Sequence, residues 1–186
     1  RVESGVLGSE TRAPGKSHRA TEWVANLGKQ LDGVEIVYVD PKDFYFPGDG
    51  ADAESKDVRY TEIVARADGF LIVTPEYNHG YPGTLKRMLD SEYAHYNHKA
   101  VAVCGASDGN WCGTRVVEAL LPVLRTLGLL IAKNSANFTH VDTLFNEDGS
   151  IAEAERERYE KSINGVYKEL LWLTRALKLA RENDAS

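Results

Sequence analysis

The stretch GFLIVTPEYNHGYPGTLKRMLD, residues 69–90, joins a strand pattern to a helix pattern through one loop. Residues 69–74 form a short apolar run with β-branched and aromatic side chains, which predicts a buried strand. Residues 83–93 carry apolar side chains at helical spacing and predict a helix. The loop between them is rich in Gly, Pro and Asn, which favour turns. A strand followed by a helix in this way is typical of a βαβ unit.

The same alternation recurs along the rest of the chain and predicts five strands and five helices. The strands are predicted at 2–7, 34–39, 69–74, 100–104 and 129–132, and the helices at 17–31, 58–67, 83–93, 114–127 and 152–180. The first strand has the weakest pattern, because Glu3, Ser4 and Gly5 interrupt its apolar run. No repeat or linker divides the sequence. We therefore expect one α/β domain with a parallel sheet over residues 1–186.

Composition excludes several classes of partner. The chain has 22 Lys and Arg against 28 Asp and Glu, and its basic residues are scattered, which argues against nucleic acid or an anionic membrane. It has only two cysteines, no apolar run long enough to span a membrane and no signal-segment pattern. We expect a cytoplasmic protein without a membrane span or a disulfide scaffold.

Three loops follow strands at one predicted edge of the sheet. They are residues 8–17, 74–83 and 105–113, and each is rich in Gly, Ser, Thr, Asn or Pro. Ligands of open parallel sheets bind at the carboxyl ends of the strands, where the strand order reverses. Turn chemistry alone could explain any one of these loops. All three at the same edge indicate a ligand site.

The first loop ends in Gly15-Lys16-Ser17, like the end of a nucleotide-binding P-loop. That motif needs a glycine five residues before Gly15, where this chain has Glu10, whose carboxylate would repel phosphates. A P-loop nucleotide hydrolase with Asp40 as a metal ligand is therefore a disfavoured alternative.

The second loop carries a longer signature. The stretch TPEYNHGYPGTLKRMLD, residues 74–90, resembles the signature of the NAD(P)H-dependent FMN reductase family, which includes quinone, azo and chromate reductases. Gly8-Ser9 with Arg12 is similar to the family's first phosphate loop, and the turn after residues 100–104 is similar to its third flavin loop. The resemblance spans roughly residues 6–145. It implies a flavodoxin-like three-layer sandwich with helices on both faces of a five-stranded parallel sheet of order 2-1-3-4-5.

The resemblance also implies the residues that bind FMN. The phosphate would lie at the start of the first helix, where unpaired N–H groups and the helix dipole favour an anion. The isoalloxazine edge and the ribityl chain would lie along the second loop, and backbone N–H groups suit this task. The pyrimidine end would face the third loop. The residues implied in these three roles are, in order, Ser9, Arg12 and Ser17; Pro75, Glu76, Tyr77 and Asn78; and Gly105, Ser107 and Gly109.

Several side chains have two interpretations in the sequence. Glu76 could instead stabilise the turn, and His79 could contact substrate or simply face solvent. Trp111 could stack near the flavin or merely close its loop. Cys104 is expected in the core. The aromatic segment 44–46 could overhang the site of this or a neighbouring subunit, but it is expected to seal the core under a long loop.

The implied activity is that of an oxidoreductase with FMN as cofactor and NAD(P)H as co-substrate. Hydride would pass from the nicotinamide to bound FMN and on to an acceptor such as a free flavin, a quinone, an azo compound or a metal oxyanion. Since the cofactor carries this chemistry, no catalytic side chain is predicted. No metal site is predicted either, because the sequence has no Cys or His cluster with metal-ligand spacing. The alternative is an FMN-binding electron carrier or redox-responsive binding protein with little turnover. A homodimer or homotetramer is expected.

Overall fold

The described part of the chain contains five strands and six α-helices. The computed structural model describes residues 2–8, 17–46 and 56–184, the first of these segments as backbone alone. The strands are Val2–Gly8 (β1), Val34–Val39 (β2), Gly69–Pro75 (β3), Ala100–Ala106 (β4) and Leu130–Ile131 (β5). The helices are Ser17–Gly28 (α1), Val58–Arg66 (α2), Gly83–Asp90 (α3), Thr114–Thr126 (α4), Val141–Leu144 (α5) and Glu153–Asp184 (α6). The predicted α/β class with a parallel sheet is confirmed.

The strands lie in the order β2-β1-β3-β4-β5, and all pairs are parallel. β1 forms despite its interrupted pattern, because it pairs with β2 over residues 2–7 and with β3 over residues 4–8. Hydrogen bonds on both edges outweigh a low intrinsic propensity for strand. β5 is only two residues long and pairs with Ala100 and Val101.

The sheet has one hydrophobic core on each face. In β3, Leu71 and Val73 pack in the core formed with α1 and α6, whereas Phe70 and Ile72 pack in the core formed with α2, α3 and α4. All seven residues of β3 are buried, and so are all seven of β4. Covering of both faces explains why these strands read as continuous apolar runs in the sequence.

Three helices end three or more residues from their predicted ends, and the first is α1, which stops at Gly28 instead of residue 31. α3 stops at Asp90, where the Ser91 hydroxyl donates a hydrogen bond to the carbonyl of Met88 at 2.7 Å. α6 continues to Asp184, and Lys178 and Arg181 near its end bind the Asp68 carboxylate at 2.8 and 3.0 Å. The short helix α5 was not predicted. A capping contact thus marks the end of α3, and a tertiary contact holds the extended end of α6.

The aromatic segment 44–46 seals the core, as predicted. Phe44 and Phe46 lie 6.1 Å apart and meet the buried ring of Tyr60 at 5.7 and 5.4 Å. The Tyr60 hydroxyl in turn lies 2.5 Å from that of Tyr96. Tyr45 points outward with 73% of its surface exposed.

Two glycines let the loop after β4 fold back on itself. A Cβ on Gly105 would overlap the carbonyl of Gly113, and a Cβ on Gly113 would lie 2.6 Å from the amide nitrogen of Ala106. Gly113 also has φ +69°, which side chains disfavour, and α4 begins directly after it. The contact therefore sets where α4 starts relative to β4.

We expect Gly105→Ala to lower the free energy of unfolding by about 1–3 kcal/mol, because its methyl group meets backbone that cannot rotate away. Denaturant titration of the purified variant measures this. Gly109→Ala is the matched control, since a Cβ there has nothing within 4 Å. An equal loss in both variants, or no loss at Gly105, would contradict this packing role.

Candidate functional site

An open cleft of about 370 Å³ lies at the carboxyl edge of the sheet. It is lined by Ser17 of α1, residues 75–77 after β3, residues 106–109 after β4, Arg115 of α4, and Val141 and Asp142 of α5. The chain passes from β1 through α1 to β2 on one side and returns through α2 to β3 on the other, so strand order reverses between β1 and β3. This is where α/β sheets bind ligands. The volume falls within the ~300–1,000 Å³ of small-molecule sites.

The cleft brings together residues from all three predicted loops. Six of the ten predicted cofactor residues line it, namely Ser17, Pro75, Glu76, Tyr77, Ser107 and Gly109. Ser9 and Arg12 lie outside the described residues. Asn78 sits at an exposed turn, and Gly105 packs against Gly113 at the end of β4. Contact of any of these residues with a cofactor stays a prediction.

Helix α1 begins at the cleft. Its first residue, Ser17, is 5% exposed and lines the cleft wall. The first N–H groups of a helix have no partner within the helix, and the dipole adds partial positive charge there. This end of the cleft is therefore suited to an anionic group.

The loop after β3 is a tight turn. Tyr77 and Gly80 exchange two backbone hydrogen bonds of 2.9 Å, and the residues between them, Asn78 and His79, have φ +49° and +67°. Positive φ at both central residues is typical of a two-residue hairpin. The Glu76 amide donates to the carbonyl of Ala106 at 2.9 Å. The amides of Glu76 and Tyr77 are thus used within the protein, which removes them from the N–H groups expected to serve a flavin.

The Glu76 carboxylate forms an ion pair across the cleft wall. Its side chain is only 5% exposed, and its Oε1 accepts from Nε and Nη2 of Arg115, both at 2.6 Å. Its Oε2 is buried and has no hydrogen-bond partner among the described residues. Leaving such an acceptor unpaired costs about 1–3 kcal/mol, more for a charged group. Oε2 of Glu76 is therefore able to accept a further hydrogen bond.

The sequence analysis missed three residues that line the cleft, Arg115 of α4 and Val141 and Asp142 of α5, and Arg115 makes the most contacts with the predicted site. Its Nη1 lies 2.8 Å from Nε2 of His79, and its guanidinium lies 5.7 Å from the ring centroid of Trp111, which is 67% exposed. Since arginine only donates, Nε2 of His79 accepts, and hydrogen-bond geometry assigns the ring proton to Nδ1. The missed signal was a cation in the first turn of a helix, where the dipole disfavours it.

The loop after β4 is braced by a segment distant in sequence. The Ser107 and Thr139 hydroxyls both donate to the carbonyl of Gly109 at 3.1 Å, and the Asp142 amide donates to Oδ1 of Asp108 at 3.0 Å. These bonds hold the cleft wall in shape. The Ser107 hydroxyl, predicted to face a cofactor, here stabilises its own loop.

The two cysteines differ in their surroundings. Cys104 is buried as predicted, and burial raises the pKa of its thiol to about 12. The Cys112 thiol donates to the carbonyl of Asn110 at 3.2 Å.

Within residues 2–8, 17–46 and 56–184 no group of three or more His, Cys, Asp or Glu is placed to hold a metal ion. None of the described helices is long and apolar enough to cross a membrane.

Curated proteins similar to this chain include flavin and quinone reductases. The chain is 31% identical over 106 residues to an NAD(P)H-dependent FMN reductase of Schizosaccharomyces pombe, covering 50% of this chain and 53% of that protein. It is 29% identical over 115 residues to a 2-hydroxy-1,4-benzoquinone reductase of Burkholderia sp., covering 58% of this chain and 62% of that one. The chain thus spans about half the length of the curated relatives it matches.

Solved structures similar to this one show the flavodoxin-like fold. The flavoenzyme NAD(P)H:(acceptor) oxidoreductase FerB from Paracoccus denitrificans matches with a TM-score of 0.73 at 20% identity, covering 91% of this chain and 97% of that one. A short-chain flavodoxin associated with a bacterial microcompartment matches with a TM-score of 0.58 at 16% identity, covering 91% and 99%. The family model for NADPH-dependent FMN reductase matches residues 4–142. This chain, with its cleft at the strand ends, belongs to the NADPH-dependent FMN reductase family.

Proposed function

We propose that the protein is an FMN-dependent NAD(P)H oxidoreductase. FMN held in the cleft would take a hydride from the nicotinamide and pass the two electrons on to an acceptor such as a free flavin, a quinone, an azo compound or a metal oxyanion. The observation that carries this proposal is a cleft, in a member of this family, that is lined by Ser17 at the end of the first predicted loop and by residues 75–77 and 106–109 of the other two. The names of the relatives, FMN reductase and benzoquinone reductase, support a flavin or quinone as acceptor.

The residues present fit FMN. The start of α1 with Ser17, together with Ser9 and Arg12 outside the described residues, would hold the phosphate. The unpartnered Oε2 of Glu76 needs a donor, which the ribityl hydroxyls and the flavin N3–H can supply. Bound FMN would supply the hydride chemistry. The chain itself would orient the ring along residues 75–78 and close the pyrimidine end with Ser107, Gly109 and the adjacent Gly105.

Two other functions are less favoured. A P-loop nucleotide hydrolase conflicts with Glu10 and with the family match over residues 4–142. An FMN-binding electron carrier would use the same cleft, but it would show negligible steady-state oxidation of NAD(P)H.

We propose in addition that residues 1–186 form one flavodoxin-like three-layer domain. A cytoplasmic location stays a prediction from composition.

We expect the protein to bind one FMN per chain and to bleach anaerobically on addition of NAD(P)H. Titration of FMN against the protein, followed by flavin fluorescence, measures the first, and the flavin absorbance measures the second. The absence of a saturable change would contradict FMN binding. Bleaching without steady-state turnover on any acceptor would favour the electron carrier.

We expect Arg12→Ala to weaken FMN binding by about ten- to one-hundredfold, because a charge-assisted hydrogen bond to phosphate contributes about 1.5–3 kcal/mol. Riboflavin lacks the phosphate and is the control ligand. Its affinity should stay almost unchanged in the variant. Equal weakening of both ligands would mean that Arg12 shapes the loop instead.

We propose that the chain assembles as a homodimer or homotetramer. Exposed apolar side chains support this, including Leu130 and Ile131 on the edge strand and Trp172 and Leu179 on α6. Light scattering at micromolar concentration should give a multiple of the 20.6 kDa chain mass. A mass near that of one chain would contradict assembly.

A further inference from the structure

The buried oxygen of Glu76 points to a missing donor. The side chain lines the cleft, its Oε1 accepts two N–H groups of Arg115, and its Oε2 has no partner among the described residues. Buried polar atoms in folded proteins are nearly always hydrogen-bonded. A ligand in the cleft can supply the donor that the described part of the protein does not.

Arg115 is placed to set the direction of that oxygen. A guanidinium is planar and presents its N–H groups as a rigid fork, so pairing with it restricts the carboxylate more than a lysine would. The same guanidinium contacts Glu76 at the start of the tight turn and His79 within it. One side chain of α4 therefore holds the turn and the carboxylate together.

The position of Arg115 is unfavourable for its own helix. A cation in the first turn of a helix is disfavoured by the helix dipole, and Arg115 is the second residue of α4. Its side chain is 39% exposed, so packing in the core does not account for an arginine at this position. The contacts with Glu76, His79 and Trp111 compensate for that cost. Sites where a local rule is broken and compensated elsewhere are often functional.

We propose that Arg115 is a positioning residue that holds Glu76 so that Oε2 accepts a hydrogen bond from an O–H or N–H donor of the riboflavin part of FMN. The inference rests on the proposed FMN function. An ionised carboxylate only accepts hydrogen bonds, and it would repel the phosphate, so the donor belongs to the other end of the cofactor. The ribityl hydroxyls and the ring N3–H are donors of this kind.

The experiment compares Arg115→Met, Glu76→Gln and the double variant with wild type, using fluorescence titration with riboflavin. Each single variant should weaken riboflavin binding by roughly ten- to one-hundredfold, the range for one hydrogen bond to a charged group. The double variant should be little weaker than either single one, because both changes weaken the same hydrogen bond: Glu76→Gln removes the charge of its acceptor, and Arg115→Met releases that acceptor from its position. Arg125→Met, in the last turn of the same helix and outside the cleft, is the matched control and should bind as wild type does.

Two further ligands separate this hydrogen bond from a general structural role and locate the donor. Lumiflavin lacks the ribityl hydroxyls, and 3-methyllumiflavin also lacks the N3–H. If a ribityl hydroxyl is the donor, both ligands should bind the variants as tightly as they bind wild type. If N3–H is the donor, lumiflavin should bind the variants more weakly than wild type, and 3-methyllumiflavin should bind them equally. Either pattern supports the proposal.

Two results would overturn the proposal. One is that 3-methyllumiflavin is weakened as much as riboflavin, since a distorted cleft affects every flavin alike. The other is unchanged riboflavin affinity in both single variants. Wild-type protein that binds no flavin would instead overturn the proposed function itself, and that result is visible before any variant is made.

Discussion

The pairing of β3 with β4 is the constraint on which the cleft depends. The two strands are in register from Gly69 and Ala100 to Pro75 and Ala106, and both are buried along their whole length. Because parallel strands end at the same edge, the loops after them leave the sheet side by side. The hydrogen bond from the Glu76 amide to the carbonyl of Ala106 extends this pairing by one step into the cleft wall. A shift of either strand would therefore separate the two walls.

The cleft is lined by charged side chains and by the start of a helix. Three carboxylates, Glu76, Asp108 and Asp142, line it together with Arg115, whose charge is paired with Glu76. A phosphate near these groups would be repelled, whereas the start of α1 offers N–H groups and a favourable dipole. The distribution agrees with a cofactor that has an anionic end and an uncharged end rich in donors, such as FMN.

Much of the fold follows from local patterns in the sequence. The strands at 34–39, 69–75 and 100–106 are apolar runs bounded by turn residues, and helices α1, α2 and α4 start at their predicted residues. Their periodicity is a property of neighbouring residues, so it can be read without knowing the fold. The three site loops could be named in advance for the same reason, and six of the ten predicted cofactor residues meet in one cleft. The ends of α3 and α6 and the short α5 could not, because contacts with residues distant in sequence, or a side-chain cap, set them.

The sequence by itself determined the alternation of strands and helices, the family signature at residues 74–90 and the edge of the sheet where the cleft lies, since each depends on residues close together in the chain. Only the tertiary structure decided the inner chemistry of the cleft. Glu76 and Arg115 are 39 residues apart, and Asp108 and Asp142 are 34 apart. Neither pair has a periodic or spacing signal. Both arise because parallel strands and the helices that follow them bring separate loops to one edge, where hydrogen bonds between them fix the final geometry.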